Sequence, residues 1–188
     1  YYLLLRVWLI FGQSEAALRS LSAVAGVLTV LALYDLGRQL FGRGVGLAAA
    51  LLLAVSPLHV WYAQEARMYA LVTLWAVAST ALLLRALRGG WPAWAGYSLT
   101  AAFGMYTHYY MAFVILAQNA CVLFLWLRSR RRGASEADET SALWVRSWLL
   151  AQAGWMALFA AWVPTVVRQV LGGGGGWIEE AVGRPGLR

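Results

Sequence analysis

Residues 45–88 read VGLAAALLLAVSPLHVWYAQEARMYALVTLWAVASTALLLRALR. As a single helix this stretch would be about 66 Å long, more than twice the roughly 30 Å of bilayer hydrocarbon. It must therefore fold back on itself. The break falls where a proline meets a polar cluster, after Pro57 and around HVWYAQEAR, because proline ends a helical run and polar groups avoid hydrocarbon. Residues 93–127 pose the same problem, at about 52 Å as one helix. By subtraction they turn near YTHYY, although neither Gly nor Pro marks a break there.

The rest of the chain agrees with a membrane environment. Of its 188 residues 62% are hydrophobic and 12% charged, and the mean hydropathy is +0.64. Soluble domains carry roughly twice that charged fraction, so a water-facing surface cannot be assembled from this composition. The net charge of +7 comes from fifteen basic residues, all arginine. Several sit between apolar runs, which suits loops facing an anionic leaflet and not a nucleic-acid groove. The one cysteine, Cys121, lies in an apolar run, which excludes a disulfide framework and a cysteine-based metal site.

Spans are expected near 17–36, 45–61, 68–87, 92–109, 110–127 and 147–167, each about 20 residues as a crossing requires. The fold class is thus all-α: a polytopic transmembrane bundle of about six spans. Residues 1–16, with their Trp, Tyr and Arg, are expected to form an N-terminal helix lying in the interface. The membrane domain would cover 1–171. Residues 172–188, opening with GGGGG, read as a flexible external segment. Tyr1 opens in the middle of a pattern, so the chain is expected to be part of something longer.

Arginine placement orients the bundle. Arg38 and Arg43, Arg85 and Arg88, then Arg128, Arg130, Arg131, Arg132 and Arg146 fall in three alternate loops, which the positive-inside rule assigns to the cytoplasm. The tips at 62–67 and 106–110 hold one arginine, Arg67, and are expected outside. On the same argument Ser135 is cytoplasmic and Gly174 external.

The two hairpins that carry those tips hold the candidate chemistry: Gln64, Glu65, Arg67 and Tyr69 in the first, His108 and Tyr109 in the second. On a helix Glu65 and Tyr69 share a face, as do Gln64 and Arg67, whereas Glu65 and Arg67 point apart. Arg67 reads either as a fork for a phosphate at headgroup level or as an interfacial cation that snorkels. Glu65 reads as an acid–base group, a ligand for a sugar hydroxyl, or a partner for its own backbone. His108 among tyrosines is a proton shuttle or sugar ligand, or part of an aromatic belt. His59 and His108 lack the spacing of a metal pair, and no metal or other cofactor is expected. Asp35, one turn before Arg38, favours a local ion pair over catalysis.

The run SPLHVWYAQEARMYALVTLWA and the preceding YYLLLRVWLIFGQSEAALRSLSAVAGVLTVLALYDLGRQLFG resemble bacterial membrane glycosyltransferases related to protein O-mannosyltransferases. That group includes aminoarabinose and galacturonic acid transferases, within the C-type glycosyltransferase superfamily. The resemblance covers residues 1 to about 125 and is most specific at YAQEARMYAL and SEAALRSLSA. It implies transfer of a sugar from a polyprenyl-phosphate carrier to an acceptor at the outer face of a bacterial plasma membrane. It also implies that the catalytic base is a carboxylate in a loop upstream of Tyr1. These residues would then form the donor-side wall without that base. Two rivals share the composition: a transporter or flippase, which would usually show internal repeats and midplane polar groups, and a non-catalytic assembly subunit.

Overall fold

The computed structural model describes residues 2–131 and 137–171, and all of its regular structure is helical. Helix α1 (Tyr2–Trp8) leads through a 3-10 turn (Leu9–Phe11) into α2 (Glu15–Phe41), followed by α3 (Arg43–Ala54), α4 (Pro57–Gln64), α5 (Tyr69–Leu87), α6 (Trp91–Thr107), α7 (Met111–Arg131), α8 (Ala137–Ala160) and α9 (Val163–Leu171). Residues 172–188, Ser135 and Gly174 lie outside the described residues.

Local chemistry sets most of the boundaries. Ser14 caps α2 by accepting the amide of Ala17 at 3.2 Å. Gly42, at φ +91, closes α2 and opens α3 in a backbone region that side chains rarely adopt. Pro57 occupies the first turn of α4, where its missing N–H costs nothing. The bend therefore sits just before the proline, at Val55–Ser56, and α3 and α4 meet there at 59°. The hairpin turn itself is Glu65–Met68, between α4 and α5.

The second hairpin turns at His108–Tyr110, within the expected YTHYY. His108 takes an extended backbone, φ −160 and ψ 136, and its Nδ1 accepts the Tyr110 amide at 3.1 Å. A side-chain acceptor thus makes the turn that Gly or Pro would otherwise make.

Three helices among the described residues are long and apolar enough to cross a membrane: α2, α5 and α7. The bent pair α3–α4 makes a fourth if it counts as one span. The expectation of six is reduced at two places. Helix α6 has only 17 residues, a reach of about 26 Å. The expected span 147–167 is broken, because the helix stops at Ala160 and restarts at Val163 with Pro164 in its first turn.

Side-chain pairings fix the directions. Gly37 meets Gly46, and Gly26 meets Ala63 and His59, so α3–α4 returns antiparallel along α2. Asp35 joins Arg85, and Ser22 joins the Arg67 carbonyl, so α2 and α5 run parallel. Trp75 meets Thr107 and Leu82 packs at Gly96, so α6 runs against α5. Ser98 meets the Ala151 carbonyl and Tyr106 the Leu158 carbonyl, so α6 runs in the same direction as α8. One end of the bundle therefore carries the start of α2 and the turns at 65–68 and 108–110. The other carries Arg38, Arg43, Arg85, Arg88 and the C-terminus of α7. Helix α1 lies against the first end, where the Trp8 indole donates to Ser20 Oγ at 2.9 Å and Ile10 and Phe11 are exposed.

In lipid, apolar surface alone does not hold helices together, and close backbone contact and polar bonds do. The glycines supply the first. A Cβ on Gly46 would lie 2.7 Å from the Tyr34 carbonyl oxygen and 2.8 Å from the Arg38 nitrogen, whereas one on Gly44 meets nothing within 4 Å. Gly46→Ala is expected to destabilise the protein by about 1–3 kcal/mol through overpacking. Gly44→Ala is expected to leave stability unchanged or raise it by up to about 1 kcal/mol through helix propensity. Thermal unfolding of both variants in detergent compares them directly, and equal midpoints would discount the α2–α3 contact.

The polar bonds lie mainly among α5, α6, α7 and α8. Gln118 donates to Ser79 and Thr80, each at 2.9 Å, and Gln152 donates to the fully buried Tyr97 hydroxyl at 3.3 Å. Leu51, Leu52, Phe113, Leu116 and Cys121 face outward, as lipid contact allows.

Candidate active site

At the end where α2 begins, the start of that helix and the α4–α5 turn enclose an open cleft of about 520 Å³. One wall carries Glu15, Leu18 and Arg19, and the other carries Trp61, Gln64, Glu65, Ala66 and Arg67. Each wall thus presents one carboxylate and one guanidinium.

The turn is held by its own backbone. Glu65 leaves the helix at φ −86, ψ 137, and the Arg67 amide donates to the Glu65 carbonyl at 2.8 Å, a tight three-residue turn. The Arg67 carbonyl accepts from Ser22 Oγ at 3.4 Å, which ties the turn to α2. Below it, His59 Nε2 sits 3.2 Å from the Gly26 carbonyl and Ala63 rests on Gly26. A side chain at position 26 would push α4 away.

This turn corrects the helical reading of Glu65 and Arg67. Because the helix ends at Gln64, the two side chains do not point apart, and Arg67 Nε lies 3.8 Å from Glu65 Oε2. That separation is too long for a hydrogen bond, so the pair is a Coulombic one between a 65% exposed arginine and a 28% exposed glutamate. Across the cleft Arg19 Nη2 meets Glu15 Oε1 at 2.5 Å on an open helix surface. Exposed pairs of this kind are held by at most about 1 kcal/mol. An incoming phosphate can therefore recruit either guanidinium at small cost.

Gln64, Glu65 and Arg67 line the cleft, whereas Tyr69, His108 and Tyr109 are not among its lining residues. Tyr69 opens α5 with its ring 5.1 Å from that of Tyr62, which in turn stacks on Trp61 at 6.1 Å. An aromatic row thus runs from the cleft wall to α5. His108 stands at the other turn of the same end, with its ring 4.4 Å from that of Tyr110. Arg19, Leu18 and Trp61 were not singled out by sequence reasoning. The available signal was the SEAALR run, in which an N-cap Ser fixes where the helix starts and so which face Glu15 and Arg19 share.

No curated protein and no solved structure matches the sequence. The family described as dolichyl-phosphate-mannose-protein mannosyltransferase matches residues 1–167, a range that includes every residue of the cleft. With most of its length matched and a bundle of membrane-length helices, the chain belongs to this family of membrane glycosyltransferases.

Proposed function

We propose that this protein transfers a sugar from a polyprenyl-phosphate carrier to an acceptor at the outer face of the plasma membrane, and that the cleft is its donor site. The observation that carries the reading is the convergence of Arg19, Arg67, Glu15, Glu65, Gln64 and Trp61 on one cleft at a bundle end. A lipid phosphate carries its charge at headgroup level, and guanidiniums bind phosphate oxygens through charge-assisted, often bidentate bonds. Carboxylates and an amide beside them suit sugar hydroxyls, and the exposed face of Trp61 offers an apolar platform.

In the reaction the acceptor atom bonds to the anomeric carbon, the bond from that carbon to the phosphate oxygen breaks, and the electron pair leaves on the phosphate. Arg67 and Arg19 stabilise the charge gathering there. The acceptor's proton passes to a carboxylate base, as the family resemblance implies, and Glu15 and Glu65, both of which face arginines, are not given that role.

Membranes containing the protein are expected to move label from radiolabelled polyprenyl-phosphate mannose to membrane acceptors, and not from a nucleotide-linked mannose. The opposite preference would refute the donor assignment. The arginine asymmetry supports an external cleft. In a Cys121→Ser background, Tyr110→Cys is expected to react with an impermeant thiol reagent in intact cells while Arg43→Cys is protected. The reverse labelling would turn the bundle over and place the cleft inside.

A further inference from the structure

At the opposite end of the bundle a second cavity, of about 260 Å³, lies between the α5–α6 loop and α8. Arg88, Trp91, Trp94, Trp144 and Ser147 line it. It shares Trp144 with a narrower slot of about 90 Å³ walled by Val122, Trp126, Trp144 and Trp148. We propose that the two together bind one anionic glycerophospholipid, its phosphate at Arg88 and the first few carbons of an acyl chain in the tryptophan slot, with the rest of the chain running on into the bilayer.

The mouth is polar and cationic, and the slot behind it is walled by apolar and aromatic side chains, which is the polarity profile of a single lipid. The Arg88 guanidinium is held in place, because Nη2 donates to the Gln39 carbonyl at 2.6 Å. Its planar fork needs little further ordering to meet a phosphate. The slot is equally fixed. Trp148 donates to Asn119 Oδ1 at 3.1 Å, and Trp126 lies under the Arg130 guanidinium at 4.5 Å.

Charge selects the headgroup. Around this end stand Arg38, Arg43, Arg85, Arg88, Arg128, Arg130 and Arg146, and Asp35 is engaged by Arg38 and Arg85. A phosphatidylcholine brings a quaternary ammonium into that field, and a phosphatidylglycerol brings none. Basic pockets between membrane helices take anionic headgroups for this reason. The tryptophans add amphipathic rings suited to the boundary between headgroup and chain. The proposal does not depend on the donor site, which lies at the other end.

The test is native mass spectrometry of the whole chain purified in detergent and titrated with dioleoyl phosphatidylglycerol or dioleoyl phosphatidylcholine. One phosphatidylglycerol is expected to remain bound, with at least about tenfold preference over phosphatidylcholine. Arg88→Ala and Trp144→Ala should each weaken it by about tenfold, the loss of one charge-assisted contact in the first and of apolar contact with the acyl carbons in the second, and Arg43→Ala should not. Trp144→Ala keeps the Arg88 tie to Gln39, so its loss of lipid cannot be blamed on an unpinned loop. Equal binding of the two lipids, or wild-type phosphatidylglycerol binding by both cavity variants, would overturn the proposal. Complete displacement of the lipid by inorganic phosphate would do so too, by making this a free-phosphate site.

Discussion

Arg67→Ala is expected to lower sugar transfer roughly ten- to a hundredfold at saturating lipid donor, with Arg67→Lys between it and the wild type. The estimate follows from one charge-assisted contact to a phosphate, worth about 1.5–3 kcal/mol, realised as charge builds on the leaving oxygen. Lysine keeps the charge and loses the fork, and so recovers part of the effect. The structure makes the experiment clean. Arg67 is 65% exposed, its only ion-pair partner among the described residues is Glu65, and its tie to α2 is through its backbone carbonyl. Removing the side chain should leave insertion and folding intact. Arg19→Ala should give a smaller loss, because Arg19 Nη2 already holds Glu15 at 2.5 Å. Turnover by Arg67→Ala equal to that of the wild type would reduce Arg67 to an interfacial cation.

How far the sequence foretold this arrangement depends on the physics behind each feature. The fold-back of residues 45–88 was legible because chain length against bilayer thickness leaves no alternative. The gathering of Arg38, Arg43, Arg85 and Arg88 at one end was legible because antiparallel spans return alternate loops to the same side. The geometry of Glu65 and Arg67 was not. It depends on the helix stopping at Gln64, and QEARMY contains no Gly or Pro to announce that. What stops it is tertiary, namely Ser22 holding the Arg67 carbonyl and Gly26 admitting His59 and Ala63.

The same limit hid Arg19. Taken alone, Glu15 and Arg19 are an ordinary i, i+4 pair on a helix surface. Only when α3–α4 returns along α2 do they face Glu65 and Arg67. His108 shows the converse, since a residue singled out for chemistry has its Nδ1 engaged by the backbone of its own turn.

Asp35→Ala is expected to cost about 2–3 kcal/mol of stability while leaving transfer per folded molecule unchanged. Asp35 stands on α2 with its side chain 17% exposed. Its Oδ1 accepts from Arg38 at 3.0 Å and from Arg85 of α5 at 2.6 Å, and its Oδ2 accepts from Gln39 at 2.6 Å. The Arg85 bond is the ionic tie between α2 and α5 at this end. Gln39 supports it by donating to the Ala81 carbonyl at 3.3 Å. Removing the carboxylate takes an acceptor from three donors, of which Gln39 keeps the Ala81 carbonyl. Arg38 and Arg85 are about half exposed and recover solvent or lipid phosphate, so the cost stays below that of stranding a fully buried charge. Asp35→Asn keeps the volume and one acceptor but sets an amide against Gln39, and should lose somewhat less. Function should be spared because twenty residues of helix, about 30 Å, separate position 35 from Glu15 at the cleft. A lowered unfolding midpoint in detergent with wild-type transfer per folded molecule is the expected pair of results. Transfer abolished by Asp35→Asn at an unchanged midpoint would mean that the chemistry sits at the arginine-rich end and that the cleft has been given the wrong role.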